Sequence, residues 1–242
     1  MLDNIFNQKQ YGPEAKAMSS EFFVSVYTYM FLALGISGTI AYWFGTEGYV
    51  FEYMIRIEYG AVSPTPLFYI VAFAPVLLGL GIQFLYNRLS MPLLLLLFGL
   101  YSVLMGLSLS TIFIAYDLGS IMTTFFVTAG GFGAMAFLGY ITKTDLTKMG
   151  SLLYMLFIGI FIAAIVNFFF HSEMISYLIS ILGVVVFTGL TAYQMQQLKY
   201  IGEDPNLGNL ERKKLSLIGG LMLYILFINL FLSLLRLLGN RE

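Results

Sequence analysis

The sequence predicts an all-α integral membrane protein with seven transmembrane helices. Of its 242 residues, 59% are hydrophobic and only 10% are charged, whereas a soluble domain carries about 25% charge. The mean hydropathy is +0.86, a surplus that leaves apolar side chains for an outer surface facing lipid as well as for a core. The apolar residues also fall into seven separate runs: 22–44, 66–87, 92–114, 119–141, 150–170, 176–198 and 216–238. Each is long enough, at ~1.5 Å per residue, to cross a bilayer once as a helix. Hydrocarbon offers no partner for open backbone groups, so helices are the expected form.

The run 22–44 follows a polar tail, 1–21, that lacks the apolar stretch of a cleavable signal, so this first helix is expected to act as its own insertion signal. The connection after it, GTEGYVFEYMIRIEYGAVSPTP, mixes Glu47, Glu52 and Glu58 with Tyr49, Phe51, Tyr53, Ile55 and Ile57. It reads as an interfacial segment, with a ligand-binding cap as the functional alternative. In 66–87, Pro75 removes a backbone donor beside Gly79 and Gly81, which predicts a kink. The run 92–114 is uncharged. In 119–141, Gly130 precedes Ala134 by four residues and Ala129 precedes Gly133 by four, a spacing suited to close helix packing.

The run 150–170 ends at the single histidine, His171, expected to be exposed or interfacial rather than a ligand or proton relay. The run 176–198 closes on three amides, Gln194, Gln196 and Gln197. The last run, 216–238, is uncharged before Arg236 and is expected to be the most enclosed. One membrane domain, 22–239, with a C-terminal tail, 240–242, accounts for the chain.

Charge sets the expected orientation. Lys9, Lys16, Arg88, Lys143, Lys148, Lys199, Arg212, Lys213 and Lys214 fall on one side, and Arg56, Arg236 and Arg241 on the other. Lys and Arg favour the cytoplasm, so the N-terminus is expected inside and the C-terminus outside. A net charge of −1 offers no field for nucleic acid, and the absence of cysteine excludes disulfides, thiolate catalysis and sulfur-ligated metals.

Chemistry within the spans is sparse. No acid, base or histidine lies near a helix centre, and no carboxylate pair, metal cluster or serine with a base can be assembled, so neither catalysis nor a cofactor is expected. The neutral polar residues Gln83, Asn167, Gln194 and Asn229 remain, as hydrogen-bonding glue between helices or as lining of a pathway. Gln194 shares a face with Phe187, Leu190 and Thr191, while Gln196 and Gln197 turn to other sides. Arg88 ends the second run on the same side of the membrane, within reach of Gln194. On the last helix Asn229 shares a face with Leu223, Leu226 and Leu230.

Three segments, TAGGFGAMAFLGYITKTDLTKMGSLLYMLFIGI (128–160), GVVVFTGLTAYQMQQLK (183–199) and LYILFINLFLSLLRLLG (223–239), stand in an order and spacing that resembles the transmembrane Bax inhibitor motif family in its bacterial form. The resemblance implies six helices surrounding a central, C-terminal seventh, and a calcium-permeable leak gated by two aspartates on the last two helices coupled to an arginine ending the second. Arg88 matches that arginine. The family's AYD reads here as Ala192, Tyr193, Gln194, and its LYLDFINLF places Leu226 at the second aspartate.

A carboxylate pair shares a proton and attracts a divalent cation; an amide facing a leucine does neither. Calcium takes six to eight oxygen ligands, carboxylates among them, and this gate supplies only amide and backbone oxygens. By run boundaries Leu226 lies roughly 9 Å deeper than Gln194, so only the family fold places the two together. Two functions are thus expected in the bilayer. One is a conduit for calcium or other cations, insensitive to pH or closed at its usual gate. The other is an interaction protein: some bacterial relatives bind and restrain the membrane-anchored ATP-dependent protease that degrades membrane proteins, and the polar tail would supply the contact.

Overall fold

The computed structural model describes residues 13–58 and 61–240. Eight helices run in chain order: α1 (Pro13–Thr46), α2 (Pro66–Leu85), α3 (Met91–Leu109), the short α4 (Ile112–Ala115), α5 (Leu118–Ile141), α6 (Thr147–Phe170), α7 (Glu173–Gly202) and α8 (Asn209–Leu238). Among the described residues seven stretches are long and apolar enough to cross a membrane, with α3 and α4 forming one of them, Met91–Ala115. The protein is an all-α multi-pass membrane protein. Residues 1–12 and 241–242 of the expected tails lie outside the described residues, and α1 begins well before residue 22.

Local sequence starts and stops these helices. Pro66 opens α2 behind Thr65, whose Oγ1 accepts from the Phe68 N–H at 3.4 Å and donates to the Tyr53 carbonyl at 2.8 Å. Asp117 caps α5, accepting from the Ser120 N–H at 2.8 Å. Ser172 caps α7 through the Ile175 N–H. The turn between α6 and α7 is tied by Asn167, which donates to the Ser172 carbonyl at 3.1 Å and to Ser176 Oγ at 2.7 Å, and accepts from the Ser172 N–H at 3.0 Å. That network holds exposed His171 in the left-handed region at φ 52°. Asn167 is therefore glue within a turn.

Two local readings change. The first connection contains a π-helical turn, Val50–Met54, and an antiparallel hairpin, β1 (Ile55–Glu58) with β2 (Ala61–Pro64), in which Ile55 pairs with Pro64 and Ile57 with Val62. The alternation Ile55, Arg56, Ile57, Glu58 is a strand period that the aromatic content of the loop obscured. Gly130, Gly131 and Gly133 are exposed, with open space where a Cβ would stand, so this small-residue stretch faces outward. The close approach on α5 is made instead by Gly139, which lies directly against the backbone of Ala192 on α7. α2 continues as one helix through buried Pro75.

α8 is the most enclosed span: 67% of its apolar window is buried, against 11–39% for the other six. It packs chiefly on α7, α1 and α5, with a smaller contact to α3, while α2 leans on α3 and α6 on α7. Gly220 lets α8 approach the Val26 carbonyl of α1, and Phe227 meets Phe125 and Phe132 of α5 edge-on at centroid separations of 5.4 and 5.5 Å. Lipid is as apolar as these side chains, so close packing rather than expulsion from water holds the interface.

Candidate functional site: the meeting of α7 and α8

The helices α7 and α8 are antiparallel and keep one register along their length. A Cβ at Gly183 would stand 2.5 Å from Ser233 Oγ; at the other end, one at Gly219 would stand 2.6 Å from Leu198 Cδ2. Between these points Gln194 faces Met222, its Nε2 donating to Sδ at 3.2 Å. Leu226 is four residues beyond Met222, so it lies about 6 Å deeper than Gln194, one turn on the same face. The run boundaries exaggerate this separation because residues 198 and 216 are not level: Leu198 faces Gly219.

Gln194 is 7% exposed and sits against a thioether, a weak acceptor. Leu226 is half-buried and packed on the core. Asn229, also half-buried, donates to the Ile225 carbonyl of its own helix at 2.8 Å. Arg88 is exposed in the turn after α2, where the Tyr86 and Asn87 carbonyls each receive Lys214 Nζ at 3.4 Å. Lys214 lies two turns of α8 before Met222, roughly 12 Å along the axis. Among the described residues no hydrogen bond joins Arg88 to Gln194.

Sequence reasoning passed over Gln196. It is 1% exposed, with Nε2 donating to the Thr144 carbonyl at 2.8 Å and Oε1 accepting from the Leu146 N–H at 2.9 Å, so it holds the connection between α5 and α6. Gln197, one position on, is half-buried with no such bond. A helical wheel separates these residues without saying which face meets a loop.

The Lys/Arg-rich end has a second organisation that a charge count does not show. Lys199 donates to the Tyr140 carbonyl at 3.0 Å near the end of α5. Buried Arg212 donates to the Gly202 and Asp204 carbonyls at 2.9 and 2.6 Å at the end of α7, and Lys214 serves α2. Each cation meets the negative end of a helix dipole and satisfies carbonyls left over by the last turn. Asp145 lies in the same face, its carboxyl held below the ordinary range by hydrogen bonding to Thr147.

A family model described as "Inhibitor of apoptosis-promoting Bax1" matches residues 19–242. The chain belongs to the Bax inhibitor family. It is 38% identical over 230 residues to the inner membrane protein YbhL of Escherichia coli, covering 95% of both chains. Similarity to a Rickettsia prowazekii protein, RP147, is 38% over 226 residues, covering 91% of this chain and 90% of the other. A Borreliella burgdorferi protein is 50% identical over 160 residues, 64% of this chain and 67% of its own.

For this Bax inhibitor family member, the meeting of the last two helices around Gln194 is neutral. The side chains there are an amide, a thioether and a leucine, none of which titrates in the physiological range. Among the described residues no group of three or more His, Cys, Asp or Glu is placed to hold a metal ion.

Proposed function

We propose that this protein is a cation leak conduit of the bacterial inner membrane, with calcium among its cargo, whose gate lies between α7 and α8 and has lost its acid sensor. The observation that carries the reading is the contact of Gln194 with Met222, one turn from Leu226. The two positions where the family resemblance implies aspartates thus become neutral neighbours at this interface. In this reading α2 and α6 form an outer layer over α3 and α7 around α8, the N-terminus lies in the cytoplasm and the C-terminus outside. Arg88, without an acidic counter-charge, donates at the headgroup boundary, where an exposed arginine reaches water or lipid phosphate.

The test is cation flux from the purified chain in liposomes. Any calcium leak is expected to vary little between about pH 6 and 8, because Gln194 and Leu226 do not titrate there. A steep, reversible pH dependence that survives His171→Ala refutes the neutral gate. Gln194→Asp combined with Leu226→Asp is expected to restore acid-sensitive flux beyond either single change. A folded, inserted double variant that is silent at every pH favours the second reading, a regulatory protein that binds a membrane-anchored ATP-dependent protease; the tail expected to make that contact falls mainly in residues 1–12, outside the described residues. The sequence has no cysteine, so single-cysteine labelling at each end reads the orientation directly.

A further inference from the structure

A slot opens at the end of the bundle that holds the C-terminus. It has a volume of about 320 Å³ and follows α5 beside the end of α8, with Asp117, Thr124 and Asn240 on its walls together with Val127 and Leu238. Asp117 and Asn240 lie just outside the spans Leu118–Ile141 and Asn209–Leu238, whereas Thr124 and Val127 lie within the first of them, so the slot crosses the membrane boundary. Along the axis of α5, Thr124 is about 10 Å and Val127 about 15 Å from Asp117. The polarity changes over that distance. At the outer end, one carboxylate oxygen of half-buried Asp117 accepts the Ser120 N–H at 2.8 Å, and the Asn240 N–H donates to Ser120 Oγ at 3.1 Å, tying the end of α8 to α5. Val127 and Leu238 are apolar and exposed toward the bilayer. Between the two ends Thr124 is 2% exposed, and its hydroxyl makes no hydrogen bond among the described residues, whereas Thr128 donates to the carbonyl of Thr124 at 2.7 Å. The fully enclosed side-chain atoms without a partner belong to Arg212 and Tyr224, so the Thr124 hydroxyl keeps an opening, and the slot is the opening it lines.

We propose that this slot holds one phospholipid with a primary ammonium headgroup, a phosphatidylethanolamine, its ammonium at Asp117 and Asn240, a glycerol ester carbonyl at the Thr124 hydroxyl and an acyl chain along Val127 and Leu238. An ammonium gives a carboxylate short, charge-assisted hydrogen bonds, and hydrogen bonding to Ser120 keeps the Asp117 carboxyl ionised by lowering its pKa. A quaternary ammonium has no N–H to give, and an anionic headgroup meets the carboxylate as a like charge. Thr124 lies within the span, where hydrocarbon supplies no water to a buried hydroxyl. An ester carbonyl is the acceptor that the bilayer itself brings to that depth, and about 10 Å of helix between Asp117 and Thr124 matches an extended headgroup from ammonium to ester. A metal ion fits less well: calcium takes six to eight oxygens with carboxylates among them, and among the described residues no cluster of three acids or histidines exists here. The inference is independent of the conduit reading, since Leu238 lies sixteen residues, or about 24 Å, along α8 from Met222.

Native mass spectrometry of the purified full chain in mild detergent tests it, by titration with phosphatidylethanolamine, phosphatidylcholine and phosphatidylglycerol of identical acyl chains. The first lipid to bind is expected to be phosphatidylethanolamine, favoured over each of the others by roughly tenfold. Asp117→Asn keeps an oxygen to cap α5 and removes the charge, so it is expected to abolish the preference. Thr124→Val, of nearly equal volume, is expected to weaken phosphatidylethanolamine and phosphatidylcholine alike by several-fold. Equal affinity for the three lipids overturns the proposal without recourse to any variant, and so does a preference that survives Asp117→Asn. Parent-like binding of both lipids by Thr124→Val overturns the ester contact and with it the placement in the slot. Calcium binding to the lipid-free chain that disappears in Asp117→Asn, with no preference among the lipids, marks a metal-cation site and overturns the proposal as well.

Discussion

Replacing Gln196 by leucine is expected to loosen the connection between α5 and α6 by an amount the structure sets. The substitution keeps most of the buried volume and removes two hydrogen bonds, to the Thr144 carbonyl at 2.8 Å and from the Leu146 N–H at 2.9 Å. Neutral bonds of this kind contribute about 1 kcal/mol each net, and a partner left buried and unpaired costs about 1–3 kcal/mol. Thr144 is exposed and its carbonyl recovers water, whereas Leu146 is half-buried at the start of α6. The expected loss is therefore about 2–4 kcal/mol. Gln197→Leu is the control, since Gln197 is half-buried and unbonded; its effect should stay within about 0.5 kcal/mol. Unfolding free energies in mixed micelles give the comparison, and amide exchange at Leu146 localises it. The reasoning is refuted if the two variants are equally stable, or if Leu146 exchanges no faster in Gln196→Leu.

Two further perturbations separate close packing from open surface and a titrating cap from a fixed one. Gly139→Ala drives a Cβ into the Ala192 backbone and should cost about 1–3 kcal/mol by forcing α5 from α7, whereas Gly133→Ala points into open space and should stay within about 1 kcal/mol, on the stabilising side; the same unfolding measurement decides both. At the N-terminus of α5, hydrogen bonding to Ser120 holds the carboxyl of half-buried Asp117 below its ordinary range. A lowered carboxyl pKa stabilises the fold above the unfolded value and loses that contribution as pH falls through the folded value. Asp117→Asn keeps the cap acceptor without titrating, so the stability gap between parent and variant should narrow as pH drops from about 5 toward 2; a gap independent of pH over that range counts against the cap.

The spans were legible because bilayer thickness imposes one length and apolar character on every crossing, so seven runs and their breaks at charges and turns suffice to count helices. The enclosure of the last helix was also legible, although the hydrophobic character of 216–238 does not by itself distinguish lipid from protein as its neighbour; 67% burial of that window does. The hairpin Ile55–Pro64 was hidden because four-residue strands carry too short a period to stand out from an aromatic loop. The small residues around Gly130 matched a packing pattern that a helix can satisfy on any side.

The candidate site divides in the same way. By itself the sequence determined that the spans are helical and that Gln194 and Leu226, where the family resemblance implies aspartates, are neutral, because residue identity alone fixes charge and titration. Only the tertiary structure decided which residues those side chains meet. Gln194 turned to Met222, Gln196 to the loop at 144–146, and Gln197 to neither, although all three lie within four positions of one helix. Helical periodicity fixes the angle between side chains on a single helix, whereas their partners depend on the relative register of α5, α7 and α8, set by contacts at Gly139, Gly183 and Gly219 that are far apart in sequence.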